Sequence, residues 1–368
     1  MVTAQSPGRV EILGNHTDYN EGFVLLAAID LRTTVSGRRA SGSRGRIFSA
    51  RLDQSCEFSL DRVEKDPERA WADYPKGVVR ELRRLGVSLP GFEARIESAL
   101  PFGAGLSSSA ALELAFGFFL QGLAGFDLSR LEMVKLCRRA ENEFVGVGCG
   151  ILDQFGCAFG RADSLLWLDC RTLDYEVFRL PARAAVVVCD SGRGRRLAAS
   201  GYNRRRRECS AALDFFAGRR PGLAALRDLE PEDFRRLAPG LADPALRNRA
   251  EHVVNENRRV REAAGVLRRG DLARLGELMR ASHSSSRDLF ENSTPELDFL
   301  VETAYRQPGI IGAKLSGAGW GGATVNLVAA GAAGDFARRL RAAFRAEFGR
   351  EPAVYLASIP DGAGLVND

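Results

Sequence analysis

Hydrophobic positions along the chain alternate between short runs of strand character and longer stretches with helical spacing. Val10–Leu13 and Phe23–Ile29 predict buried strands, and Thr33–Arg62 predicts further strands joined by turns such as Ser41-Gly42-Ser43. A helix is expected from Trp71-Ala72-Asp73-Tyr74 to Leu85, where Gly86 ends it, and a strand over Phe92–Ser98. Ser107–Leu123 carries the apolar run of a second helix. Ser129-Arg130-Leu131-Glu132 is a capping box that opens a third, running towards Phe144. Strands follow at Leu165–Asp169 and Val186–Cys189. Beyond Pro181 the pattern is helical over Tyr202–Phe216, Leu246–Leu267 and Leu272–Ser284, with breaks at Pro221-Gly222 and Pro239-Gly240. The chain closes on a strand (Thr324–Val328), a helix (334–348) and a strand (Val354–Ile359). With no repeat and no long linker, this order predicts an α+β architecture of two closely packed domains, residues 1–180 and 181–368, with a cleft between them.

Composition changes this picture little. The chain has 368 residues, 45% hydrophobic and 27% charged, as in ordinary globular proteins. No run approaches a membrane span and no export signal opens the chain, so a cytoplasmic location is expected. The seven cysteines form no C-x-x-C pair and sit in apolar surroundings, which predicts reduced, buried thiols. The net charge of +5 is carried by arginine, since there are only four lysines. The run Arg204–Arg207 lacks interleaved aromatics and reads as a solvated helix face, so no nucleic-acid partner is expected.

Three stretches carry the chemistry. In the first, Leu100–Ala111, Gly103, Ala104, Gly105 and Leu106 precede Ser107, Ser108 and Ser109, between a strand and a helix. Such a loop aims backbone N–H groups and the positive end of a helix dipole at one spot, which suits a phosphate. A plain helix start with serine caps is the alternative. Near the N-terminus, Asn15, His16, Asp18 and Tyr19 crowd one loop with Arg9 upstream, a density of hydrogen-bonding groups that fits a polyhydroxylated ligand or a self-bonded turn. The third is the glycine-rich turn 146–150. It leads to Asp153, an acid between Leu152 and Phe155, and a carboxylate in that setting needs a partner or a task. No P-loop, dinucleotide fingerprint, protein-kinase set or paired histidines are present. Two glycine-rich loops, a serine triplet, Glu141 and Asp153, and an arginine are the parts that phosphoryl transfer uses.

These blocks resemble the GHMP small-molecule kinases and, within them, the galactokinases. Gly8–Tyr19 looks like G-R-x-N-x-I-G-E-H-x-D-Y, and Pro101–Ala111 like P-x-G-x-G-L-S-S-S-A. Ala140–Phe155 is similar to A-E-H-x-F…C-G-x-x-D-Q-F, Tyr202–Cys209 to Y-x-x-R-R-x-x-C, and Gly312–Gly322 to G-x-x-x-T-G-x-G-x-G-G. The resemblance implies a two-domain kinase using ATP and Mg²⁺ to phosphorylate the anomeric hydroxyl of galactose. Ser109 and Glu141 would hold Mg²⁺, and Gly103–Ser109 would cradle the phosphates. Asp153 would be the base, Arg9 would offset charge on the transferred group, and Trp71 and Tyr74 would line the base pocket. Asn15, His16, Asp18, Gly150 and Tyr202 fall where the family binds its sugar. A monomer is favoured, with a small sugar and neither membrane nor nucleic acid as partner.

The chain departs from the pattern at two positions of the first block. Asn15 stands where the family has Glu, which accepts from the C6 hydroxyl, and Glu11 stands where it has Asn. Arg193, Arg195 and Arg196 also occupy a segment the family fills differently. An amide at 15 can still accept from a hydroxyl and would not repel a carboxylate. Galactose is therefore the expected acceptor, with galacturonate, L-arabinose and N-acetylgalactosamine as rivals and a non-catalytic sugar sensor as a further alternative.

Overall fold

The structure, a computed structural model, describes residues 1–193 and 198–366. The first half runs β1 (Val2–Leu13), β2 (Phe23–Arg39), β3 (Arg44–Ser49), β4 (Gln54–Ser59), α1 (Asp73–Arg84), β5 (Phe92–Ser98), α2 (Ser108–Ala124), α3 (Arg130–Arg139), α4 (Leu152–Phe159), β6 (Ser164–Asp169) and β7 (Tyr175–Arg179). The second continues with β8 (Ala184–Asp190), α5 (Ala198–Ala217), α6 (Pro231–Leu237), α7 (Pro244–Arg268), α8 (Leu272–Ser285), α9 (Pro295–Tyr305), β9 (Ile310–Leu315) and β10 (Ala323–Ala329). It ends with α10 (Ala333–Phe348), β11 (Ala353–Ala357) and β12 (Gly364–Leu365). The α+β expectation holds.

Eight strands form the larger sheet in the order β12-β1-β2-β5-β3-β4, with β6 also on β2 and β7 on β6. Only β3 and β5 pair in parallel within it. The smaller sheet, β11-β8-β10-β9, is antiparallel throughout. Because β12 pairs with β1, the end of the chain returns to the sheet that its beginning built.

β2 runs unbroken through Asp30–Arg32, where the polar residues suggest a gap between two strands. The reason lies across the sheet. A register shift at Pro7/Gly8 absorbs the extra residues, and the Asp30 carboxylate turns outward to accept from Ser358 N and Oγ. The Ser129 capping box forms as expected, but α3 passes after Arg139 into a π-helical turn over Ala140–Val145, which tucks Glu141 inward.

α2, apolar on nearly all sides, lies on β1 and β2 and is flanked by α1, α3 and α4. One core runs through both halves, joining residues of the larger sheet and α2 to Val260, Val266, Leu275 and Met279 of α7 and α8 and to Val325 and Leu327 of β10. The cysteines are unpaired and buried, Cys170 only partly. Among the described residues no helix is long and apolar enough to cross a membrane. In the arginine run Arg204, Arg206 and Arg207 are exposed, as the sequence suggests, whereas Arg205 departs from that reading and lies buried on the Phe290 carbonyl (2.7 Å) and against Glu208. Arg195 and Arg196 fall outside the described residues.

Candidate active site

The glycine–serine loop enters α2 with Gly103, Gly105 and the non-glycine Ser107 all at positive φ. No side chain caps the helix, and the buried Ser107 hydroxyl oxygen has no partner. An uncapped N-terminus and an unsatisfied inward hydroxyl are the groups a phosphate would satisfy. The alternative of serines acting as helix caps is not what forms. Two neighbours hold the loop. Arg9 donates Nη1–H to Gly105 O (2.6 Å) and its backbone N–H to Leu106 O (3.2 Å). Gly322, from the Gly312–Gly322 block, packs so closely that a Cβ there would sit 2.5 Å from Ala104 O. Beside the loop, Trp71 lines a small hollow with Arg51, Phe102 and Ser108. Tyr74 does not line it; it is half-buried towards Glu141 and Glu113, and desolvation raises its phenol.

Next to the loop opens a cavity of about 210 Å³ whose walls include Arg9, Ser109, Glu141 and Asp153. Asp153 sits in the first turn of α4, where the N-terminal dipole favours a carboxylate. The buried Arg9 guanidinium clasps it through Nε (2.9 Å) and Nη2. Glu141 reaches the same cavity from the π turn, hydrogen-bonded to Gln154 Nε2 (2.6 Å), with Ser109 lining the cavity beside it. Burial, and then the nearby Asp153, push the Glu141 carboxyl up to about 7. Glu113 stands behind it, its carboxyl also pushed up by burial, and shares Gln154 Nε2 (3.1 Å). A hydroxyl and a carboxylate, both hard oxygen donors in a pocket crowded with acids, fit a small divalent cation that takes its remaining ligands from phosphate and water. Among the described residues no three His, Cys, Asp or Glu side chains cluster as a metal site, which is consistent with an ion that takes further ligands from the nucleotide.

The sugar-loop residues line the same cavity. Asn15, His16, Asp18 and Tyr202 all face it. Gly150 serves Asp18: a Cβ there would overlap the Asp18 carboxylate. Burial, then Asp153, raise Asp18 to about 6. Two residues play other parts than the sequence suggests. His16 uses both ring nitrogens internally, on Tyr19 Oη (3.0 Å) and Ala318 O (3.0 Å), and packs against Phe290 and Tyr202. The Asn15 amide is spent entirely inside the protein. Its Oδ1 accepts from Ser286 Oγ (3.1 Å) and Asn292 Nδ2 (2.8 Å), and its Nδ2 donates to Gly317 O (2.7 Å) and Glu11 Oε2 (3.2 Å). An amide with both lone-pair sites and both hydrogens engaged cannot accept a further hydroxyl, which corrects the expectation for residue 15.

Sequence reasoning misses the residues beneath this loop. Glu256 on α7 accepts from Gly14 N (2.8 Å), Asn15 N (3.2 Å) and Ser282 Oγ (2.6 Å), and pairs with Arg259. Burial alone would raise Glu256, but Arg259, His252 and Lys314 bring it down to about 2. His252, lowered to about 4 by burial, meets Asn15 O (2.9 Å). Nothing in the helical pattern of α7 marks these residues. Gly317 and Ala318 lie in a glycine-rich stretch the sequence does flag, though without a role.

With this geometry in hand, comparison with known proteins identifies the class. Residues 73–161 match the GHMP kinases N terminal domain, 263–346 the GHMP kinases C terminal, and 2–39 the galactokinase galactose-binding signature. A mevalonate kinase of Methanococcus jannaschii, 18% identical, shares the fold with a TM-score of 0.67 over 98% of each chain. Nearer relatives are a galactokinase of a Roseiflexus species, 45% identical over 100% of this chain and 93% of its own, and one of Bacillus subtilis, 38% identical over 97% and 93%. The structure of Lactococcus lactis galactokinase complexed with galactose superposes with a TM-score of 0.93 at 36% identity, covering 98% of this chain and 94% of that one. The chain belongs to the GHMP kinases and, within them, to the galactokinases. It is an ATP-dependent sugar kinase acting on a small-molecule sugar.

Proposed function

We propose that this chain transfers the γ-phosphoryl group of ATP to the anomeric hydroxyl of galactose, giving α-galactose 1-phosphate and ADP. The observation that carries the reading is the Arg9–Asp153 pair, set between the uncapped serine loop and the sugar loop. Asp153 takes the proton of the anomeric hydroxyl as that oxygen bonds to the γ-phosphorus and the bond to the β-phosphate oxygen breaks. Arg9, already bridging Asp153 and Gly105 O, stands where negative charge passes between sugar and phosphate. The backbone of Gly103–Ser109, with the Ser107 hydroxyl, receives the phosphates, and Trp71 flanks the base. Ser109 and Glu141 would hold Mg²⁺, which when bound would offset charge on the phosphates.

Residues 1–180 supply the phosphate and sugar loops, and residues 181–368 close over them. Arg9, Asp153 and the three serines are all present, which favours an enzyme over a sugar sensor. The unpaired cysteines suit a cytoplasmic location, and we take the active form to be a monomer. Release of ADP by the purified protein with Mg-ATP tests the substrate. Galactose is expected to exceed galacturonate, L-arabinose and N-acetylgalactosamine in kcat/KM by tenfold or more, and a tenfold deficit against any of them refutes the choice. Asp153→Asn should lower kcat by roughly a hundred- to ten-thousand-fold while ATP still binds. Near-normal turnover in that variant removes Asp153 from the role of base.

A further inference from the structure

The exchange of carboxylate and amide between positions 11 and 15 leaves both groups in the cavity wall, touching each other. Their remaining capacities differ. The Asn15 amide has none, as its four hydrogen bonds show. A carboxylate offers about four lone-pair sites, and in Glu11 two hydrogen bonds are seen: Oε1 with Lys314 Nζ (2.6 Å) and Oε2 with Asn15 Nδ2 (3.2 Å). Lys314 is fully buried and donates also to Leu315 O (2.7 Å), so it anchors the carboxylate and stays out of the cavity lining.

Glu11 is also well placed. Arg9 and Glu11 lie two residues apart on a regular part of β1, paired with Ala28 and Leu26 across the strand. Their side chains therefore share one face about 7 Å apart. With Arg9 and Asp153 at the reacting end, Glu11 stands one sugar ring away.

We propose that Glu11, anchored by Lys314, is the specificity-determining acceptor for the sugar hydroxyl at the end of the ring remote from C1, while Asn15, tied to Ser286, Asn292 and Gly317, holds the sugar loop in place without accepting from the sugar. This rests on the sugar 1-kinase reading above and deepens it. The site keeps a carboxylate despite the amide at position 15. A sugar carboxylate at that end would face the Glu11 carboxylate, which removes the sequence-level case for galacturonate.

The test compares kcat/KM for galactose, 4-deoxygalactose and 6-deoxygalactose in the parent enzyme, Glu11→Gln, the double variant Glu11→Gln/Lys314→Met, and Asn15→Ala. The double variant leaves no buried ammonium stranded, so the test survives if the single variant fails to fold. The parent should favour galactose over at least one deoxy sugar by about tenfold or more, the discrimination expected of a charged hydrogen bond. The Glu11 variants should bring that ratio below about threefold, while Asn15→Ala slows all three sugars alike. Galacturonate should neither react nor compete in the parent enzyme. A ratio that survives loss of the Glu11 carboxylate, a parent without discrimination, a ratio that collapses in Asn15→Ala, or tight galacturonate binding each overturns the assignment. Turnover of galactose by the parent enzyme reports separately on the proposed function.

Discussion

Asp18 is a carboxylate held where its charge is disfavoured. Burial and the neighbouring Asp153 raise it from 3.8 to about 6, so between those values the folded protein binds a proton that the unfolded chain has released. The contribution of Asp18 to stability is therefore greatest below pH 3.8 and falls by about 3 kcal/mol as pH rises through 6. Asp18→Asn should stabilise the ligand-free protein at pH 7 by up to about 3 kcal/mol, a gain that vanishes near pH 4, and should weaken sugar turnover. Urea melts at the two pH values check it. A variant no more stable than its parent at pH 7 would show that Asp18 is compensated in solution.

Between elements, the site depends on how closely two loops approach. Gly322 has φ +79° and leaves no room for a Cβ against Ala104 O. Gly322→Ala should cost roughly 1–3 kcal/mol and push the phosphate loop out of place. Its KM for ATP should rise more than its KM for galactose; equal changes would mean that the loops are not coupled in this way. The same logic explains the orphaned Ser107 hydroxyl. A helix start that caps itself would have no groups left for a phosphate.

Across the whole molecule, α7 joins the second half to the sugar loop of the first. Glu256 accepts three hydrogen bonds from elsewhere in the chain besides its pair with Arg259. With its carboxyl lowered from 4.5 to about 2, Glu256 contributes stability that is full above pH 4.5 and is lost as pH falls towards 2. Glu256→Gln leaves Arg259 buried without its counter-ion and should cost about 3–5 kcal/mol at pH 7. The loss should shrink on acidification and carry a higher KM for galactose, because Gly14 and Asn15 lose their anchor. Calorimetry across that pH range, with kinetics, measures both effects.

Much of the fold and part of the site were legible in local patterns. The Ser129 capping box, the glycine-loop-to-helix step and the spacing of apolar residues act over a few positions, and they determine where α2, α3 and most strands form. The same local stretches hold Arg9, Asp18, Ser109, Glu141 and Asp153, which the fold brings into one cavity. Other features required the tertiary structure because their physics is long-range. The unbroken β2 depends on a bulge in another strand and on Ser358, the burial of Arg205 on a carbonyl 85 residues away, and the anchoring of the sugar loop on Glu256. The sequence alone places an amide at 15 and a carboxylate at 11. Only their neighbours, Ser286, Asn292, Gly317 and Lys314, decide that the amide is saturated and the carboxylate can still accept a hydrogen bond.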